Sequence, residues 1–281
     1  MKLRIAAAAG VGVLLIYVVA RPLAVSSEAI GGRAALVAMA FLAGVIGYFV
    51  SWPYGREIGI LAVPSGLAVW AVRSGSMATL IQLNPTVAQR QELVASLKWE
   101  PFFWLAIVAA GFAGALLGQK IRSSPKLKET QQESNPGPGK YLNAAIALVG
   151  SALIAQFCIR IFAQEIRISN SSLGSVVAQP AIGQVAFAVL VSFGLAAFAV
   201  KKYLNLSYVW PSIATAFVTA FAMHAYAKQV QYLARNWPAA FFSNAVASVL
   251  PVQMVAFGAL GSVAGYWMAV RFDYWRKHEM K

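Results

Sequence analysis

Charge is scarce in this chain: only 11% of its 281 residues are Asp, Glu, Lys or Arg. Soluble domains carry about a quarter, so a water-facing globular surface is excluded. Cysteine is nearly absent, since Cys158 stands alone, and a disulfide scaffold is excluded with it. Cys158 reads as a small apolar packing residue rather than a reactive thiol. Acidic residues number 9 against 23 basic ones, a formal net charge of +14. Asp273 is the only aspartate, so no paired-aspartate site for a divalent metal can form. His224 and His278 are the only histidines, and no His-Glu-x-x-His zinc motif occurs. Gly-x-Ser-x-Gly, the phosphate-binding Gly-x-x-x-x-Gly-Lys and the dinucleotide glycine pattern are missing too. These absences argue against an enzyme, and they imply no cofactor and no metal.

What is present is apolar length, because 59% of the residues are hydrophobic. A helix crosses a hydrocarbon core of roughly 30 Å with about 20 apolar residues. Eight segments meet or approach that length: Ile5–Ala20, Ala34–Val50, Ile58–Val72, Phe102–Gly118, Leu142–Ile159, Gln184–Val200, Ser207–Ala227 and Val252–Val270. The third is short and would thin the bilayer or borrow Ser74–Leu80, with Arg73 snorkelling to the headgroups. The first also carries the basic and apolar regions of a secretory signal ending at Val18-Val19-Ala20. Pro22 just past that site, and a counterpart helix in the second half, favour its retention.

Basic residues set the orientation. With eight spans, fourteen of the 23 lie on the side of the N-terminus, 51–57, 119–141, 201–206 and the C-terminus. Nine lie in the longer loops of the other side, 21–33, 73–101, 160–183 and 228–251. Both termini are therefore expected in the cytoplasm of an inner-membrane protein. The basic inner segments (Lys120, Arg122, Lys126, Lys128, then Arg271, Arg276, Lys277) suit anionic lipid headgroups. Topology already accounts for the charge, so nucleic acid is not an expected partner.

Residues 123–140, SSPKLKETQQESNPGPGK, have linker composition and separate residues 1–122 from 141–281. Matches recur collinearly across the divide. Ala29-Ile30-Gly31 repeats as Ala181-Ile182-Gly183, Pro64-Ser65 as Pro211-Ser212, and Asn84 as Asn236. Val94-Ala95-Ser96 repeats as Val246-Ala247-Ser248, and Pro101 and Gly111 as Pro251 and Gly261. The expected fold is an all-α integral membrane protein, with eight transmembrane helices in two tandem parallel four-helix repeats. An even number of spans per repeat places their relating axis along the membrane normal. In the long outer segments, Asn84-Pro85 and Asn236-Trp237-Pro238 read as starts of short interfacial helices. These would carry Val87, Gln91, Val94 and Leu97, and Phe241, Phe242, Ala245 and Val249.

All nine acidic residues (Glu28, Glu57, Glu92, Glu100, Glu129, Glu133, Glu165, Asp273, Glu279) fall outside the eight segments, which argues against ion-coupled transport. Glu57 reads as a favourable charge at a helix N-terminus. Two further features could line a solute path. Pro64-Ser65 and Pro211-Ser212 sit in the third helix of each repeat, where proline would free the carbonyls of Ile60 and Ser207. His224 is the one titratable residue well inside an apolar run, although a hydrogen bond between helices is its commoner role. Gly111 and Gly114, and Gly258, Gly261 and Gly265, give small faces for close helix packing, as do Gly44 and Gly47. The leading functional reading is a non-catalytic subunit, anchor or scaffold of an envelope assembly, with a protein partner or a homodimer. The alternative is an uncoupled carrier or channel whose path lies between the repeats.

Overall fold

The computed structural model describes residues 2–26, 29–122, 138–170, 174–236, 242 and 244–278. Residues 123–137 of the expected linker, and Glu28, Glu129, Glu133, Glu279, Trp237, Pro238 and Phe241, fall outside that set, whereas residues 138–140, expected in the linker, already belong to the helix Pro138–Phe162. Among the described residues, seven helical stretches are long and apolar enough to cross a membrane. They are Lys2–Ala24, Gly31–Val50, Gly55–Arg73, Val87–Arg122, Tyr141–Phe162, Ile182–Leu204 and Pro251–His278. A multi-pass membrane protein follows from their number. The segment Ser207–Ala227 lies in a helix of 28 residues, Val209–Asn236, that is not among the seven. Ser212, Thr215, Thr219 and His224 dilute its apolar run.

The chain divides into two compact units. Unit 1 comprises Met1–Trp70 and Trp104–Ile146. It opens with α1 (Lys2–Gly12), a π-helical stretch Val13–Ala20 and α2 (Arg21–Ser26), followed by α3 (Ala29–Val50) and α4 (Gly55–Gly59). It also holds most of α5 (Ala62–Arg73) and α8 (Glu100–Arg122), and the start of α9 (Pro138–Phe162). The third apolar segment is thus broken at Ile60–Leu61. Its extra length comes from Gly55 on the N-terminal side, not from Ser74–Leu80. Glu57 lies in the first turn of α4, where the helix dipole favours it.

Glycine sets how closely the helices of unit 1 approach. A Cβ at Gly44 of α3 would strike the carbonyl of Gly111 in α8, and one at Gly114 would strike that of Phe41. Gly12 of the first helix lies equally close to Ala62 of α5. Backbones this close exchange van der Waals contact that lipid could not supply.

Unit 2 comprises Ala71–Phe103 and Ala147–Lys281. Its long helices are the rest of α9, α10 (Ile182–Ala199) with a π-helical turn Val200–Leu204, α11 (Val209–Asn236) and α12 (Pro251–His278). Here a Cβ at Gly261 of α12 would strike the carbonyl of Leu190, and one at Gly265 that of Gly194, both in α10. Gly258 meets Thr215 of α11 and Phe193.

The segment from Ala71 onward carries α6 (Met77–Gln82) and α7 (Val87–Leu97), and α7 packs on α11. The expected helix is present, but its start is not Asn84. Asn84 donates to the Leu80 carbonyl at 2.8 Å and closes α6 instead. Thr86 caps α7 through a reciprocal box with Gln89, the arrangement that Thr-x-x-Gln encodes. The helix expected from Asn236 in the second half falls largely on 237–241 and 243, outside the described residues, and Asn236 itself ends α11. Beyond those residues lies one 3₁₀ turn, Ala245–Ser248, after Asn244, whose side chain accepts from Val246 N–H. Four residues are too few to propagate a helix, and Pro251 starts the next one. The fold is all-α in class, and the connection between α9 and α10 carries a short hairpin. Strands β1 (Ile166–Asn170) and β2 (Gly174–Ala178) pair antiparallel, with Ile166 opposite Ala178. The period-two pattern over five residues is too short to stand out beside long apolar runs.

Candidate functional site

Each proline of the candidate pair is the third residue of its helix, Pro64 in α5 and Pro211 in α11. Proline is tolerated there because first-turn amides have no intrahelical partner. In both places the following serine makes the first helical bond. Ser65 N–H donates to Leu61 O at 3.0 Å, and Ser212 N–H donates to Tyr208 O at 3.1 Å. Both prolines are buried. Ser65 is half-buried, whereas Ser212 is 3% exposed and its hydroxyl donates to Tyr208 O at 2.9 Å. Pro64 and Ser65 belong to unit 1, and Pro211, Ser212 and His224 to unit 2.

His224 is exposed, as is Lys228 one turn on. Twelve residues separate it from Ser212, about 18 Å along the helix, so the two do not share a site within unit 2. Cys158 is half-buried in α9. Among the described residues, no group of three His, Cys, Asp or Glu side chains could hold a metal ion.

Four hydroxyls inside unit 2 follow one pattern. Ser192 donates to Ala188 O, Thr215 to Ser212 O, Thr219 to Thr215 O and Ser262 to Gly258 O. In unit 1, Ser51 does the same to Gly47 O. Each of these hydroxyls is satisfied close by in sequence. That arrangement is the inexpensive way to bury such a group, and it leaves the donor committed. Ser151 of α9, fully buried, is the exception, because its hydroxyl meets no partner among the described residues.

Specific long-range polar contacts in unit 2 gather where α9 and α11 end and α10 and α12 begin. Gln253, 2% exposed near the start of α12, donates to Gly75 O at 3.1 Å and to Ala71 O at 3.4 Å, and accepts from Leu250 N–H. Gln179 accepts from Ala78 N–H at 3.1 Å. Arg160 donates to Asn244 Oδ1 at 3.3 Å, and Arg90 donates to the carbonyls of Asn84 and Pro85. Tyr226 packs its ring 5.1 Å from that of Phe242. These bonds tie α6, α7 and the 3₁₀ turn into a cap on the unit-2 helices. Neither Gln253 nor Gln179 belongs to a motif that marks it in the sequence. The available signal was that Gln253 is the only strongly polar side chain in an otherwise apolar run.

No protein-family model, curated protein or solved structure matches the chain at a significant level.

Proposed function

We propose that the chain is a non-catalytic inner-membrane protein serving as a subunit, anchor or scaffold of an envelope assembly. In this reading it has eight spans in two tandem four-helix repeats, 1–122 and 141–281, with both termini cytoplasmic. Three correspondences support the repeat. Gly44 against Gly111 and Gly194 against Gly261 are close pairs at a shared offset of 150 residues. The two proline turns, Leu61–Ser65 and Tyr208–Ser212, repeat at an offset of 147. Arg122 lies 3.6 Å over the Trp52 ring, while Lys202 lies 4.7 Å over that of Phe272. Those are the same two positions, 150 residues on, with cation and ring exchanged. A first-turn Pro211 and the 28-residue length of α11 support counting that helix as the eighth span.

One observation carries the functional reading: apart from Ser151, the buried hydroxyls of each unit are spent on carbonyls of their own segments, while adaptable polar chemistry is concentrated in the cap. A solute path needs polar groups free to replace hydration. A scaffold needs only packed helices and a shaped exposed end. Cysteine placed at Ser65 or Ser212, in a chain with Cys158→Ala, tests this. Both thiols are expected to be inert toward a small water-soluble reagent, and bulky replacements should destabilise by roughly 1–3 kcal/mol through overpacking. Reactive thiols at both positions, with folding intact on enlargement, would favour a solute path instead.

A further inference from the structure

At the end of unit 2 away from its cap, three cations stand over aromatic rings. Helix α12 has 28 residues, about 42 Å at 1.5 Å each. Roughly 20 residues cross the hydrocarbon core, so a stretch of about 12 Å emerges beyond it. The emerging sequence begins at Arg271 and is exposed apart from Asp273, which is half-buried. Beside it the π-helical turn Val200–Leu204 is closed by Asn205 in the left-handed conformation, φ 52°. Such widened turns occur disproportionately at functional positions.

That turn carries Lys201 and Lys202. The Lys202 ammonium lies 4.7 Å from the ring centre of Phe272, 5.6 Å from that of Tyr203 and 5.7 Å from that of Phe198. Lys201 lies 5.3 Å over Tyr266 and donates to Asn205 Oδ1, and Arg271 lies 4.6 Å over Trp275. Among the described residues, none of the three meets a carboxylate, because Asp273 pairs with Arg276 at 3.8 Å. A ring face orients a cation without cancelling its charge. The helix dipole and the topology rule would each place lysine here, but neither calls for three rings around one ammonium. Tyr203, 77% exposed, adds an aromatic surface suited to the depth of lipid headgroups. A site for a free anion in water would have no use for it.

We infer that Lys201, Lys202 and Arg271, with the rings of Tyr203, Phe272 and Trp275, form a binding site for the phosphodiester headgroup of an anionic phospholipid. The inference rests on the membrane-embedded part of the proposed function. Its test is native mass spectrometry of the detergent-purified full chain, titrated with phosphatidylglycerol and phosphatidylcholine of matched acyl chains. The anionic lipid should be retained by at least about tenfold, given the attraction each lysine exerts at a membrane surface. Lys201→Gln with Lys202→Gln should bring the preference to near parity. The double Arg variant should keep it, as should Lys98→Gln, which removes a cation–ring pair elsewhere in unit 2. Millimolar inorganic phosphate should not displace the lipid. Equal retention of the two lipids, a preference surviving the double Gln change, or displacement by phosphate would overturn the site. A measurement on the unaltered chain guards against misfolded variants. Brominated phosphatidylglycerol should quench tryptophan emission more than brominated phosphatidylcholine, and Trp275→Phe should remove the difference; no difference at the outset also overturns the site. A chain monodisperse without detergent would sink the membrane reading itself, whereas a detergent-requiring chain without lipid preference sinks only this inference.

Discussion

Gly265 and Gly150 are both helical glycines, yet they stand in opposite surroundings. A Cβ at Gly265 would collide with the backbone of Gly194, while one at Gly150 would meet nothing within 4 Å. Gly265→Ala is therefore expected to destabilise by roughly 1–3 kcal/mol, since a backbone carbonyl cannot move aside as a side-chain end can. Gly150→Ala should stabilise by about 0.5–1 kcal/mol, because alanine restricts the unfolded chain more. Thermal melts in one detergent check both; equal effects of the two changes would contradict the packing described. At this scale the small faces were legible, because glycine at three- and four-residue spacing has few other uses in an apolar helix. Gln253 was not legible. A lone amide in an apolar run gains meaning only from the carbonyls of Ala71 and Gly75, which lie 182 and 178 residues away in sequence.

Among the elements, α7 tests how the cap is held. Its capping box pairs Thr86 with Gln89 in both directions, and Val94 and Leu97 are buried on its inner face. Thr86→Ala should cost about 1 kcal/mol and raise amide exchange across Val87–Leu97 first, with α10 and α12 unchanged. Exchange rising uniformly through unit 2 would mean that the cap is not a separate layer. The apolar runs were readable element by element, because burial in lipid demands length and composition that nothing else imitates. Boundaries were less so. The break at Ile60–Leu61 divides one apolar run, and the hydropathy that marks a span says nothing about a two-residue turn inside it. The hairpin Ile166–Ala178 was missed for the converse reason, since its strands are short and their surroundings carry no period of their own.

For the whole molecule, reporters fused after Lys140 and Lys281 should both report cytoplasm, and reporters within Gln82–Leu93 the opposite side. A reporter after Lys140 on the opposite side would contradict the four spans assigned to the first half. The proposed repetition shows in the sequence as scattered matches, and what supports it in the structure is contacts: a glycine pair, a proline turn and a cation–ring pair at matching offsets. The ring and cation exchange places between Trp52–Arg122 and Lys202–Phe272, so residue identity alone hides that correspondence. Unit 2 also takes in Ala71–Phe103 from the first half, which no comparison of the halves would suggest. The proposed role of these packed helices and their cap is to serve an assembly. Purification from native membranes at ordinary expression levels, followed by native mass spectrometry, tests it most directly. The expected result is a complex in which the 30.0 kDa chain is joined by a second protein in fixed stoichiometry. A lone chain or a homodimer that also passes a small solute across a vesicle membrane would contradict it.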